Sequence, residues 1–218
     1  GIYRIPAGKH ITLVINESMA ISDEIDVILA SGSIKKAMTV LARFEYMITG
    51  ASALMRYHHY IPRRMLHLVY VIKGSGEYVT SSLTDAGLRA LLEPTRDQLM
   101  LALDNFKETE LFLIREFTAL EGNNRGIAIP EKAILDLYFE TTRRYILFPE
   151  EEVGRIFEAL LKDRRMNLTK LFWLAERRGI RGEIIAIVKY FFSDMIVENA
   201  DYNSFVERVL HAVKYSER

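Results

Sequence analysis

The sequence predicts an α+β fold, with a mixed α/β N-terminal lobe built on a small sheet and an all-helical C-terminal lobe. Three observations predict it. Two apolar runs, residues 66–72 and 111–117, read as strands, and the first is apolar on both faces, as a buried strand is. After Pro130 the apolar residues recur at helical spacing to the end of the chain. The change of character falls at Pro130 with no Gly/Ser-rich linker, so lobes of residues 1–129 and 130–218 are expected to pack against each other.

Taken in order, residues 1–17 read as extended, with a β-branched strand over 11–15. From Ser22 a helix places Ile25, Ile28 and Leu29 on one face and stops at Gly32-Ser33. A second helix is expected over 34–46 with Met38, Leu41 and Ala42 inward, and after Thr49-Gly50 a short one over 51–58. Lys73-Gly74-Ser75-Gly76 reads as a turn joining the strand at 66–72 to a hairpin partner, Glu77-Tyr78-Val79. Helices are expected over 84–92 and 95–105, a turn over 122–126 and a short strand over 127–129.

In the second lobe Pro130 suits a first helical turn and Glu131 suits the helix dipole, giving a helix over 131–140. Pro149 with Glu150, Glu151 and Glu152 starts the next, whose inner stripe is Val153, Ile156, Phe157, Leu160 and Leu161. Asn167 caps a helix ending at Arg178, with Gly179 as its stop. A helix over 183–197 buries Ile184, Ile187, Val188, Phe191 and Met195. A last one follows Asn203, with Phe205, Val209, Leu210 and Val213 inward.

Composition narrows the function. The 218 residues carry 29 basic and 29 acidic side chains, so no global field draws the chain to nucleic acid or membrane. Without cysteine there is no disulfide, no thiolate nucleophile and no thiolate-ligated metal. The absence of cysteine, with Gln98 the one glutamine, points to a thermophilic source. No apolar run reaches the roughly 18–20 residues of a membrane span, and no signal-peptide pattern opens the chain, so a cytoplasmic protein is expected.

Chemistry is sparse. Gly74-Ser75-Gly76 lacks the third glycine of a dinucleotide loop. His58 and His59 point about 100° apart on a helix, His10, His67 and His211 are scattered, and no metal or cofactor is expected. Thr49-Gly50-Ala51-Ser52 is similar to the turn that opens nucleotidyltransferase sites, but the strand at 66–72 has no carboxylate for magnesium. No nucleophile–base pair is evident, and no catalytic residue is assigned. The unusual charge pattern is arginine doublets: Arg63-Arg64, Arg143-Arg144, Arg164-Arg165 and Arg177-Arg178, with Arg181 close behind. They read either as solvated helix ends or as a surface gripping phosphate or carboxylate in a bidentate way. On the second reading Arg177, Arg178 and Arg181 form one exposed corner around Gly179.

The segment Ala128-Ile129-Pro130-Glu131-Lys132-Ala133-Ile134-Leu135-Asp136-Leu137-Tyr138 resembles the PEKALLDL stretch of AbiEi-like proteins, the antitoxins and transcriptional regulators of abortive-infection toxin–antitoxin systems. Asn167-Leu168-Thr169-Lys170-Leu171 and Leu174-Ala175-Glu176-Arg177 resemble their "L..L..LAER" helix. Ile48-Thr49-Gly50-Ala51-Ser52-Ala53-Leu54 and Val69-Tyr70-Val71 resemble an upstream turn and strand, so the likeness spans residues 46–190. It implies a regulator that binds a protein partner, such as a nucleotidyltransferase-type toxin, and in the family a winged helix that binds DNA. Gly1-Ile2-Tyr3-Arg4-Ile5-Pro6 resembles the last strand of such a wing, without the reading helices that precede it in the family. A helix-turn-helix around Gly32-Ser33 is the local alternative, though its second helix is mostly apolar. The expected function is therefore a non-catalytic partner-binding regulator. The arginine doublets on nucleic acid are the alternative, and a nucleotidyltransferase-like enzyme is the third reading.

Overall fold

The computed structural model describes residues 32–57, 65–105, 110–144, 146, 148–162 and 166–195. Outside them lie the expected wing strand at 1–6, the strand at 11–15, the helices from Ser22 and after Asn203, His10, His58, His59, His211, and the doublets Arg63-Arg64 and Arg164-Arg165. The elements run α1 (Gly32–Leu41), β1 (Tyr46–Thr49), a 3-10 helix (Gly50–Tyr57), β2 (Met65–Ile72), α2 (Gly76–Asp85), β3 (Ala90–Leu92), α3 (Arg96–Asn105), β4 (Glu110–Phe117), β5 (Asn123–Asn124) and β6 (Ile127–Ala128). Four helices follow: α4 (Pro130–Arg143), α5 (Glu150–Lys162), α6 (Leu168–Arg177) and α7 (Arg181–Met195). The α+β class is borne out.

Among the described residues the sheet has the order β3-β4-β2-β1-β6-β5. β3, β4 and β2 are mutually parallel, and β1 is antiparallel to β2. β2 is interior, and Leu68, Val69, Tyr70 and Val71 are buried in succession, so both of its faces are covered. The pairing Tyr70↔Arg115 and Leu68↔Thr49 places Thr49, Tyr70 and Arg115 on one face, by the two-residue alternation of strands.

The hairpin expected at Gly74-Ser75-Gly76 does not form, because its expected partner Glu77-Tyr78-Val79 is helical. The chain instead enters α2 at Gly76, with Val79 and Leu83 buried at helical spacing. The Glu116 carboxylate accepts the backbone N–H groups of Gly74 at 2.9 Å and Gly76 at 2.7 Å, putting an anion where the helix dipole favours one. A side chain at Gly76 would collide with Leu92 and Glu116, which explains the glycine. The helix expected over 84–92 also fails, because Gly87 turns the chain at φ +72° and β3 follows. The helix expected over 34–46 ends at Leu41, Ala42 is exposed, and Tyr46 opens β1.

Past Pro130 the expectations hold closely. Pro130 occupies the first turn of α4, and the five apolar residues of the α5 stripe are all buried. The Asn167 side chain accepts the Lys170 N–H at 3.0 Å, and Gly179 has φ +73°. α4 packs on the 3-10 helix and β1 on one side and on α5 and α6 on the other, joining the helical part to the sheet.

Candidate functional site

α4 sits between the sheet and the outer helices, yet it buries Glu131, Lys132, Asp136, Glu140 and Thr141. Charges are buried this way only when paired. Asp136 accepts the Thr49 hydroxyl at 2.7 Å, pairs with Lys132, and lies 3.5 Å from Arg178. Glu140 binds Arg115 at 3.0 Å and lies 3.5 Å from Arg144. Glu93 pairs with Arg115 at 3.1 Å and Arg144 at 3.2 Å, and accepts the Glu116 N–H at 2.9 Å. Its backbone is at φ +40°, a left-handed conformation that costs a non-glycine residue and is held here by these contacts.

Arg178 closes this ionic junction. Its guanidinium donates to the Tyr70 hydroxyl at 2.9 Å and stacks over the Phe139 ring at 4.3 Å and the Phe117 ring at 5.1 Å. Burial and the neighbouring Asp136 push the Tyr70 hydroxyl far above its ordinary range, against the pull of Arg178. Burial lowers Lys132, and Asp136 opposes it. For Arg178, burial works against the charge, but Tyr70 and Asp136 outweigh it and the group stays raised.

The exposed corner of three guanidinium groups is therefore corrected. The Arg178 side chain is only 12 % exposed and faces inward, because α6 ends against the sheet, where its guanidinium joins Lys132, Arg115 and Arg144 in balancing Asp136 and Glu140. Arg181 pairs with Glu176 at 2.7 Å, Arg143 pairs with Glu183, and Arg144 turns to Glu93. Arg177 differs from these. It lies over the Trp173 ring at 5.1 Å, one helical turn away, on the outer face of α6, with its tip on Glu121. Trp173, the one tryptophan of the chain, is 50 % exposed, and Lys170 is exposed one turn before it. Leu171, Phe172, Leu174 and Ala175 take the inner face. The signal for Trp173 was present in the sequence: the apolar residues of α6 outnumber what one buried stripe accommodates.

A nucleophile–base pair, not evident in the sequence, does exist. The Ser52 oxygen lies 2.8 Å from His67 Nδ1, and His67 Nε2 lies 3.9 Å from Glu110. A separation of 15 positions hides it, since only the pairing of β1 with β2 folds the 3-10 helix back onto β2. Ser52 and His67 are both fully buried and meet no solvent. Among the described residues no three His, Asp or Glu side chains converge as metal ligands, and no helix is long and apolar enough to cross a membrane.

The fold and these contacts define an α+β protein whose mixed sheet is locked to a helical part by a buried ionic junction. The chain belongs to the family of unknown function DUF6577, which matches residues 21–193. No curated protein and no solved structure matches it.

Proposed function

We propose that this chain is a regulatory, partner-binding module of the cytoplasm, and that the outer face of α6 is its contact surface for another protein. One observation carries the proposal: the exposed Trp173–Arg177 stack, flanked by Lys170. Tryptophan and arginine are the residue types that dominate binding energy at protein interfaces, and a half-exposed indole still has apolar surface to bury. The stack is also pre-ordered, since the Glu121 pair holds Arg177 in place, which lowers the entropy lost on association.

Two further observations support a binding role over catalysis and over nucleic acid. Ser52 and His67 are sealed in the core. Arg143, Arg144, Arg177, Arg178 and Arg181 are all engaged by carboxylates of the chain itself, so phosphates would have to displace them. The resemblance to AbiEi-like antitoxins makes a nucleotidyltransferase-type toxin the first partner to try. The test is affinity capture from the native host with the wild type, a Trp173→Ala/Arg177→Ala variant, and Arg143→Ala as control. A stoichiometric protein should be retained by the wild type and the control and lost by the double variant. Equal recovery on all three baits would refute the assignment of the surface.

A further inference from the structure

Between α4, α5 and α7 lies a cleft of about 430 Å³, within the size range of small-molecule sites. Its walls are apolar, formed by Val153, Phe157, Ile187 and Phe191. Two features mark it as more than a packing gap. Thr141 lines it, nine-tenths buried, and its hydroxyl has no hydrogen-bond partner among the described residues. Its neighbour Thr142 satisfies the same group within the helix, by donating to the Tyr138 carbonyl at 2.8 Å. A buried hydroxyl left unpaired is unfavourable, and a bound ligand could pair it. The second feature is a carboxylate. Glu150, exposed and with no ion-pair partner among the described residues, lines the cleft together with the exposed Tyr190. A carboxylate next to an aromatic face favours a cation.

We propose that this cleft binds a small organic cation: an aromatic or branched aliphatic body bearing one amine and one hydrogen-bonding group. The amine pairs with Glu150 and lies against Tyr190. The body fills the space beside Phe157 and Phe191, and the hydrogen-bonding group meets the Thr141 hydroxyl. The described lining residues come from α4, α5 and α7, so the site is separate from the α6 face.

Tryptamine has these three parts and serves as the probe, with indole-3-acetate as its anionic counterpart, titrated into the full chain by calorimetry. Tryptamine should bind saturably, and indole-3-acetate at least tenfold more weakly. Gly154→Leu should abolish binding by filling the cleft. The nearest atom to an added Cβ there is Phe191 Cζ at 3.9 Å, so the substitution has room and the variant should fold, which circular dichroism checks. Glu150→Gln, at an exposed position, should erase the preference for the amine. Thr141→Val should weaken tryptamine about tenfold while raising the melting temperature of the free protein, because an unpaired buried hydroxyl is removed. Absence of saturable tryptamine binding overturns the proposal. Binding that survives Gly154→Leu, or that is indifferent to the charge of the probe, also overturns it.

Discussion

Arg178 donates a hydrogen bond to the Tyr70 hydroxyl at 2.9 Å across 108 residues of sequence, tying the end of α6 to the middle of the sheet. The same guanidinium lies within 3.5 Å of Asp136 and 3.9 Å of Glu140, both fully buried. Arg178→Ala removes one buried cation from carboxylates that keep Lys132, Arg115 and Arg144 as partners, and should cost up to about 3–5 kcal/mol. Arg143→Ala breaks an exposed pair with Glu183 and should cost about 0–1 kcal/mol. Urea unfolding of the two variants side by side checks the contrast, and equal losses would remove Arg178 from the core.

Glu116→Ala should loosen the turn between β2 and α2, because the carboxylate accepts both glycine amides there. An orphaned donor costs about 1–3 kcal/mol when buried and less where water reaches it. Amide hydrogen exchange at Gly74 and Gly76 should accelerate at least tenfold, while the amides of β2 keep their protection.

The Tyr138 hydroxyl donates to Glu183 at 2.6 Å. Burial first, then that hydrogen bond, pushes its pKa from the ordinary 10.0 up to about 12. The folded pKa is the higher one, so the contribution to stability is fully present below pH 10 and is lost as pH rises through about 12. Tyr138→Phe should flatten the fall in unfolding free energy over that window, a slope readable from denaturant titrations at several pH values. Tyr46 and Tyr70 are raised as well, so some alkaline loss should remain.

Local signals made the helical part legible. Pro130, the acidic run after Pro149, the Asn167 cap and the Gly179 stop each act within a few residues, and each holds in the structure. The hairpin expected at Gly74-Ser75-Gly76 failed because a Gly-x-Gly turn suits either a hairpin or a strand-to-helix corner. What decides between them is Glu116, 40 residues away from Gly76 and visible only once β4 lies beside β2. The ionic junction was hidden for the same reason. Lys132, Asp136 and Glu140 follow helical spacing, which puts them on one face without saying what that face meets. Their partners, Thr49, Tyr70, Arg115 and Arg178, come from four other places in the chain. The doublets appeared alike in sequence, but Arg177 and Arg178 point about 100° apart on a helix, so one faces out and the other in.

The central claim, that the outer face of α6 meets a protein partner, is tested most directly by the emission of Trp173. It is the only tryptophan of the chain, so in a partner freed of tryptophan it reports that face alone. Titration with the protein captured from the host should shift its emission to the blue and saturate, and Arg177→Ala should weaken the affinity at least tenfold, about 1.4 kcal/mol, with the melting temperature unchanged. Emission that stays constant while the complex forms, or that responds instead to nucleic acid with a steep dependence on salt, would contradict the account.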